Sequence, residues 1–477
     1  MNPVITSGQR DWSVAEWTAC VADAVMLLQR SGTQVLATVM DNSPAWVALD
    51  EAAAQLGVVH VPLPSFFSDA QVLHVLQTTG ADTLCIHATR KISGPGMACS
   101  DANLANEPIT AVRLAVATDH HKAHPGTAKI TFTSGTTGTP KGVCLSAAQM
   151  DAVVCGLVDA MKPLHIQRHL SALPYAVLLE NVAGVMAARR QGATVICLPL
   201  ADIGLWGSSD FDPARFDATV RRHTPDSLMV LPQMLKAWVM YLEGTRQAAA
   251  PSLKFVAVGG APLGRQWLER ARQRGIPAYE GYGLSEGASV QTLNLPWACR
   301  DGSVGRALPS LEVRLAADGE VEVRGSLFLG YLGQPPRATD WWSTGDLGHL
   351  DSEGFLTIRG RKKNVLITGF GRNVSPEWVE TALQQEPLLP LVVVVGDGDA
   401  QLGAVVWTST SCEPHQIQAA IDRVNATLPD YARVGRWVRA DPALRNGFFT
   451  ANGRPLRPHI ESYYRALQAP VAPLALS

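Results

Sequence analysis

The stretch that most constrains this chain runs from Ile130 to Val143, Ile-Thr-Phe-Thr-Ser-Gly-Thr-Thr-Gly-Thr-Pro-Lys-Gly-Val. Its apolar, β-branched opening, Ile130 to Phe132, predicts a short strand. The strand empties into hydroxyls and glycines: Thr133, Ser134, Gly135, Thr136, Thr137 and Gly138 precede Lys141, and Gly142 follows it. Glycines permit positive φ and close backbone approach, so successive N–H groups can line a concave nest for an anion. Hydroxyls add donors and Lys141 adds a positive charge, which makes the stretch a phosphate cradle by composition. An ordinary Ser/Thr/Gly surface loop is the alternative. A Walker loop is not, because Gly142 stands where that motif needs Ser or Thr.

Length and composition bound the rest. A chain of 477 residues exceeds one core and predicts two or more domains. With 47% apolar and 17% charged residues it reads as a globular protein, and a net charge of −2 gives no sign of a nucleic-acid partner. Eight cysteines are scattered with no C-x-x-C pair, which suits a reduced, cytoplasmic setting. Arg10, Asp11 and Glu16 precede any apolar run, unlike a secretory signal, and no apolar window of about 18 residues predicts a membrane span.

The first third alternates: strand at 34–40, helix at 46–56, strand at 58–61 closed by Pro62 and Pro64, helix at 70–79. That order predicts an α/β unit with a parallel sheet. From Ile92 to Thr127 the pattern dissolves into Gly, Pro, Ser, Asn and Asp and reads as loop. His120, His121 and His124 in that loop read as solvated rather than as metal ligands, since no further ligand follows at a usual spacing and Lys122 would repel a cation.

The residue order from Thr133 to Lys141 resembles the phosphate-binding signature of the adenylate-forming superfamily, which includes acyl-CoA synthetases, fatty acyl-AMP ligases, luciferases and peptide-synthetase adenylation domains. Further strings extend the resemblance from about residue 30 to about 465. The segment Ala172-Leu173-Pro174-Tyr175-Ala176-Val177 through Glu180 and Val182 is similar to the stretch bordering the carboxylate pocket in long-chain synthetases. It lacks the family's frequent His at position 177 and carries no Asp, so an α-amino acid substrate is disfavoured: a buried ammonium needs a counter-charge. The turn Gly259-Gly260-Ala261-Pro262-Leu263, after a strand ending at Val258, is expected along adenine and the acyl pocket. This implies pocket residues Tyr175, Val177, Val258 and Gly259, or simply core at any one of them.

Tyr279-Glu280-Gly281-Tyr282-Gly283-Leu284-Ser285-Glu286 lies about 145 residues after the phosphate loop. By resemblance, Tyr282 stacks on adenine between Gly281 and Gly283, Ser285 contacts phosphate and Glu286 binds Mg²⁺, which favours carboxylate and phosphate oxygens. Thr344-Gly345-Asp346 implies that Asp346 takes the ribose hydroxyls, as a carboxylate can; a turn cap is the plain alternative. Gly360-Arg361-Lys362-Lys363 implies Arg361 at the ribose and Lys363 as the pivot of a domain rotation. Ser375 and Pro376 predict a capped helix start, strands follow at 391–395 and 404–408, and Ile417, Ala420, Ile421 and Val424 mark one helix face.

One departure stands out. Thr450-Ala451-Asn452-Gly453-Arg454 places Arg454 where the family carries the adenylating lysine. Arg is planar and forked, so the exchange is not conservative at a tight site. Adenylation is then slowed or lost, or Arg454 substitutes, or Arg457 takes over. The implied architecture is α/β: a large N-terminal domain, residues 1–360, of parallel-type sheets with helices and a β-barrel-like part, and a small mobile α+β lid, residues 361–477. The implied activity joins an apolar, fatty-type acid to a thiol through an acyl-adenylate, using ATP, Mg²⁺ and coenzyme A or phosphopantetheine. An acyl carrier protein as partner, a homodimer, and a relative that only thioesterifies or only binds nucleotide stay open.

Overall fold

A computed structural model describes residues 3–90, 98–114, 123–133, 141–207, 210–369, 371–409, 411–441, 443, 445–449 and 454–468. Two large sheets form the base. In one, Val59–Leu63, Val35–Val39 and Thr83–His87 run parallel at the centre, and Lys129–Thr133, Lys141–Leu145 and Gly330–Tyr331 extend one side. In the other, Ala278–Leu284, Phe255–Val258, Ser227–Val230, Arg168–Leu170 and Thr194–Ile196 are parallel neighbours, with Ser289–Leu293 antiparallel at the edge of the run. Helices between strands force these parallel connections. One core of buried apolar side chains, Trp46, Trp238 and Phe216 among the largest, binds helices to both sheets. The barrel-like part is a four-stranded antiparallel sheet, Glu312–Leu315, Glu320–Arg324, Trp342–Leu350 and Leu356–Arg361, with its own small core.

Local sequence explains most elements. Ser43 caps the helix Pro44–Leu56 and Gly57 ends it at φ 69°, the left-handed position glycine suits. Ser146 caps Ala147–Met161 through a reciprocal bond with Gln149, and Ser375 caps Pro376–Leu383. Two expectations need correction. Val59–Leu63 runs through Pro62: His60 N–H donates toward Ala128, and the ladder to the neighbouring strand pairs only His60 with Lys129, so no donor is required at position 62. The segment read as loop from Ile92 to Thr127 contains a hairpin, Ala98–Leu104 with Glu107–Arg113, that turns at Ala105 and Asn106, both at positive φ. Pro108 and the interspersed Asn and Asp obscured a two-residue alternation that buries Ile109 and Ala111.

After Arg361 the buried clusters are separate from those before it. Helices Pro376–Leu383 and Pro414–Asn425 pack on one face of Leu391–Val395, Leu402–Trp407 and Val434–Arg439; Arg457–Gln468 packs on the other through Ile460 and Tyr464. This unit touches the preceding part where Trp267 Nε1 donates to Gln384 O at 3.3 Å and Lys236 Nζ to Gln384 Oε1 at 3.4 Å. No described helix is long and apolar enough to cross a membrane.

Candidate active site

Thr133 pairs with Lys141 across the hairpin, so residues 134–140 join two paired strand ends. Ser134, Gly135, Thr136, Thr137 and Gly138 lie outside the described residues. The Lys141 ammonium sits 4.9 Å from the centroid of the Tyr331 ring, and the Tyr331 hydroxyl donates to Glu286 Oε1 at 2.8 Å. Tyr331 arrives because Gly330–Tyr331 pairs with Val143 and Cys144, and His124 Nε2 donates to the Tyr331 carbonyl at 3.1 Å. Sequence motifs did not point to Tyr331; only strand pairing brings it here.

Ser285 and Glu286 form a single 3₁₀ turn, Ser285–Gly287, followed by Ala288 at φ 55° and Ser289 at φ 105°. Such angles cost a side-chain-bearing residue roughly 1–3 kcal/mol and persist where surroundings enforce them. Here Phe328 N–H donates to Glu286 O at 2.7 Å, while Gln291 and Ser326 side chains donate to Gly287 O at 2.6 and 2.8 Å. Among the described residues, the Tyr331 hydroxyl is the one hydrogen-bond partner of the Glu286 carboxylate. A carboxylate joined through Tyr331 to Lys141 suits Mg²⁺ held jointly with substrate phosphates.

Asp346 and Arg361 face each other in adjacent strands. Arg361 Nε lies 2.9 Å from Asp346 Oδ1 and its Nη1 donates to Thr344 O at 3.0 Å. The Tyr282 hydroxyl donates to Asp346 Oδ2 at 2.6 Å. Burial raises the Asp346 carboxyl above its usual range, with Arg361 opposing, and burial together with Asp346 holds the Tyr282 phenol well above its ordinary value. Tyr282 therefore stays a neutral donor, and its ring is steered by its hydroxyl. Gly283 is required by close approach, since a Cβ there would strike the Ser289 carbonyl; one on Gly281 would lie 3.0 Å from Leu293 Cδ1.

The last unit contributes Arg454. The charges that act on its guanidinium are Arg361, Asp346 and Glu286; burial and Arg361 lower its pKa. Burial, then Arg361 and Arg454, also lower that of Lys363. Arg361 and Arg454 both act on Asp346, Arg454 also on Glu286, and Lys363 faces Glu377 and Asp346, a cationic group suited to a polyanion. Arg457 does not join them. Its guanidinium forks onto Glu380 at 2.8 Å twice and reaches Glu377 at 3.4 Å, so the expectation that Arg457 could replace the lysine is corrected: it neutralises a buried carboxylate. At the junction Lys362, not Lys363, ties to Asp318 and Glu320 at 2.6 and 2.8 Å.

Gly260, Ala261 and Pro262 are exposed at the carboxyl end of Phe255–Val258, and Leu263 N–H donates to Glu280 Oε1 at 3.2 Å. Burial pushes the Glu280 carboxyl up to about 7. Behind this turn lies a small cavity of about 40 Å³, walled by Leu157, Met161, Leu179, Ala183, Ala257 and Leu293 among others. A Cβ on Gly259 would lie 3.7 Å from Leu179 Cδ2, so this glycine adjoins the wall. Val258 is buried beside it, outside the lining. Tyr175 is core: its ring packs 5.1 Å from Trp46 and its hydroxyl donates to Cys197 Sγ at 2.9 Å. Val177 is 36% exposed. The chain from Leu179 to Met186 is a π-helix, whose wider turn sets Leu179 and Ala183 into the cavity.

The long-chain-fatty-acid–CoA ligase FadD15 of Mycobacterium bovis is 29% identical over 434 residues, covering 76% of this chain and 70% of that one. The 2-succinylbenzoate–CoA ligase of Listeria innocua is 30% identical over 295 residues, 58% of each. The fold matches that of o-succinylbenzoate coenzyme A synthetase (MenE) from Bacillus subtilis, solved in complex with ATP and magnesium ion, with a TM-score of 0.76 at 22% identity over 96% of both chains. Residues 2–332 match the AMP-binding enzyme family and residues 363–466 its C-terminal domain, so the chain belongs to the AMP-binding enzymes.

Proposed function

We propose that this chain is an acid–thiol ligase that activates an apolar, fatty-type carboxylic acid with ATP and transfers it to coenzyme A or a phosphopantetheine thiol. A carboxylate oxygen attacks the α-phosphorus, the bond to pyrophosphate breaks, and the resulting acyl-adenylate is attacked at its carbonyl by the thiol sulfur, releasing AMP. No side chain need act as nucleophile; positioning and charge stabilisation suffice. Asp346 and Arg361 would hold the ribose, Tyr282 would stack on adenine, Lys141 and the Thr133–Gly138 loop would hold the phosphates with Ser285, and Glu286 would hold the Mg²⁺. The lid rotates about Lys363 between the two half-reactions.

The observation that carries this reading is that Arg361 and the Tyr282 hydroxyl both hold the Asp346 carboxylate while Arg361, Asp346 and Glu286 act on the Arg454 guanidinium. Arg454 stands in the field of Glu286 and Asp346, which supports an adenylating role for it rather than loss of that half-reaction. The test is carboxylate-dependent pyrophosphate release from ATP across short, medium and long aliphatic acids and aryl acids. Release should appear with an apolar acid, and Arg454→Ala should abolish it while acyl-CoA formation from supplied acyl-adenylate survives. Silence of the wild-type chain across the panel would refute the reading.

A further inference from the structure

A larger cavity, about 430 Å³, lies toward the far edge of the sheet that carries Tyr282. From Ala278–Leu284 the strand order runs through Phe255–Val258, Ser227–Val230, Arg168–Leu170 and Thr194–Ile196 to Ile5–Thr6. Five strand spacings put the cavity roughly 24 Å from the nucleotide residues. Ser7, Gln9 and Leu198, just past the ends of Ile5–Thr6 and Thr194–Ile196, form one wall. The helix Pro213–His223 forms another through Arg215, Ala218, Thr219, Arg222 and His223. Those positions are i, i+3, i+4, i+7 and i+8, a single helix face, while Phe216 and Val220 take the buried one.

Charge and spare hydrogen-bonding capacity decide what such a cavity takes. Arg215 is held by Asp202 at 3.1 Å and lies 5.6 Å from the Trp206 ring centroid. Arg222 makes no hydrogen bond or ion pair among the described residues, so the wall is left net positive. The His223 ring packs on Gly8, where a Cβ would lie 2.9 Å from His223 Cε1. Burial, then Arg222 and Arg168, hold this imidazole below its ordinary pKa, and an anion beside it would relieve the repulsion. Ser7 Oγ accepts the Arg10 N–H at 3.3 Å and keeps its hydrogen to donate; Thr219 Oγ1 donates to Asp202 O at 2.9 Å and keeps its lone pairs. We infer that this cavity is a second ligand site, for a phosphate monoester with a hydroxylated body, such as a pentose phosphate. The Arg222 guanidinium fork takes two oxygens of an oxyanion, and phosphate, unlike carboxylate, offers a third to His223. Hydroxyls of the body then meet Ser7, Gln9 and Thr219, and Arg215 closes the far end, roughly 10 Å along the helix.

The test is calorimetric titration of the full chain with ribose 5-phosphate, ribose and inorganic phosphate, repeated with Arg222→Ala, Arg222→Lys and Lys141→Ala. The wild type should bind ribose 5-phosphate about tenfold or more tightly than either fragment. Arg222→Ala should weaken it by about tenfold or more, and Arg222→Lys, which keeps the charge and loses the fork, should fall between. Lys141→Ala, at the phosphate loop, should leave the affinity unchanged, and the ATP dependence of pyrophosphate release should be the same in Arg222→Ala as in wild type. Affinity indifferent to Arg222→Ala would mean that Arg222 serves only the helix end, and overturns the inference. Loss with Lys141→Ala alone would place the ligand at the nucleotide site and overturn it too. So would a wild type that binds none of the three, or that binds inorganic phosphate as tightly as the ester, whatever its ligase activity. Arg222 is exposed, so neither replacement threatens the fold.

Discussion

Replacing Asp346 by Asn tests the nucleotide clamp most directly. The two carboxylate oxygens already accept from Arg361 at 2.9 Å and Tyr282 at 2.6 Å, and each retains a second lone pair for a ribose hydroxyl. Asn keeps one acceptor and turns an amide donor toward either a guanidinium or a phenol hydroxyl. Arg361 loses its counter-charge in the free and the bound enzyme alike, so that loss falls on stability. The effect on ATP is the lost charge-assisted bond to the ribose, roughly 1.5–3 kcal/mol, or about 10- to 150-fold in kcat/KM for ATP. The assay is pyrophosphate release with ATP and with 2′-deoxy-ATP and 3′-deoxy-ATP, after thermal melts confirm a folded variant. Wild type should lose efficiency with at least one deoxynucleotide, and Asp346→Asn should lose little more with it, because the partner is already gone. Equal further losses in both proteins, or an unchanged ATP dependence in the variant, would refute the clamp.

Glu280 predicts a pH effect on stability. Its folded carboxyl titrates at about 7 against an ordinary 4.5, so between these values the folded chain keeps a proton the unfolded chain has lost. Stability should therefore fall as pH rises through that window, by on the order of 3 kcal/mol, and Glu280→Gln should flatten the Tm–pH slope, part of which remains because Glu107 is also pushed up to about 7. Parallel slopes for the two proteins would contradict this. Arg457→Ala strands the buried Glu380 carboxylate, costing roughly 3–5 kcal/mol; a lower first melting transition and faster proteolysis beyond residue 361 are expected, and an unchanged melt would argue against a structural pair. Gly360→Ala places a Cβ against Ser375 Oγ at φ 144°, costing about 1–3 kcal/mol. A slower transfer to thiol than adenylation is expected from comparing acyl-CoA formation with pyrophosphate release.

The sequence by itself determined the elements whose causes are local. Ser43, Ser146 and Ser375 cap the helices they precede, and the strand expected at Ile130 to Phe132 forms within Lys129–Thr133. The family and the α/β class followed from such strings. The Ala98–Leu104 hairpin escaped because its turn formers outweighed a weak alternation. Tertiary structure alone decided the site's contacts: Tyr331 meets Glu286 across 45 residues and Tyr282 meets Asp346 across 64. It also chose between readings the sequence left open, spending Arg457 on Glu380 and sinking Tyr175 into the core against Cys197. The physical reason is one of range. Caps, turns and side-chain periodicity act within a few residues and leave a mark in the string. Which carboxylate meets which donor depends on strand order and register, set by burial of the whole core.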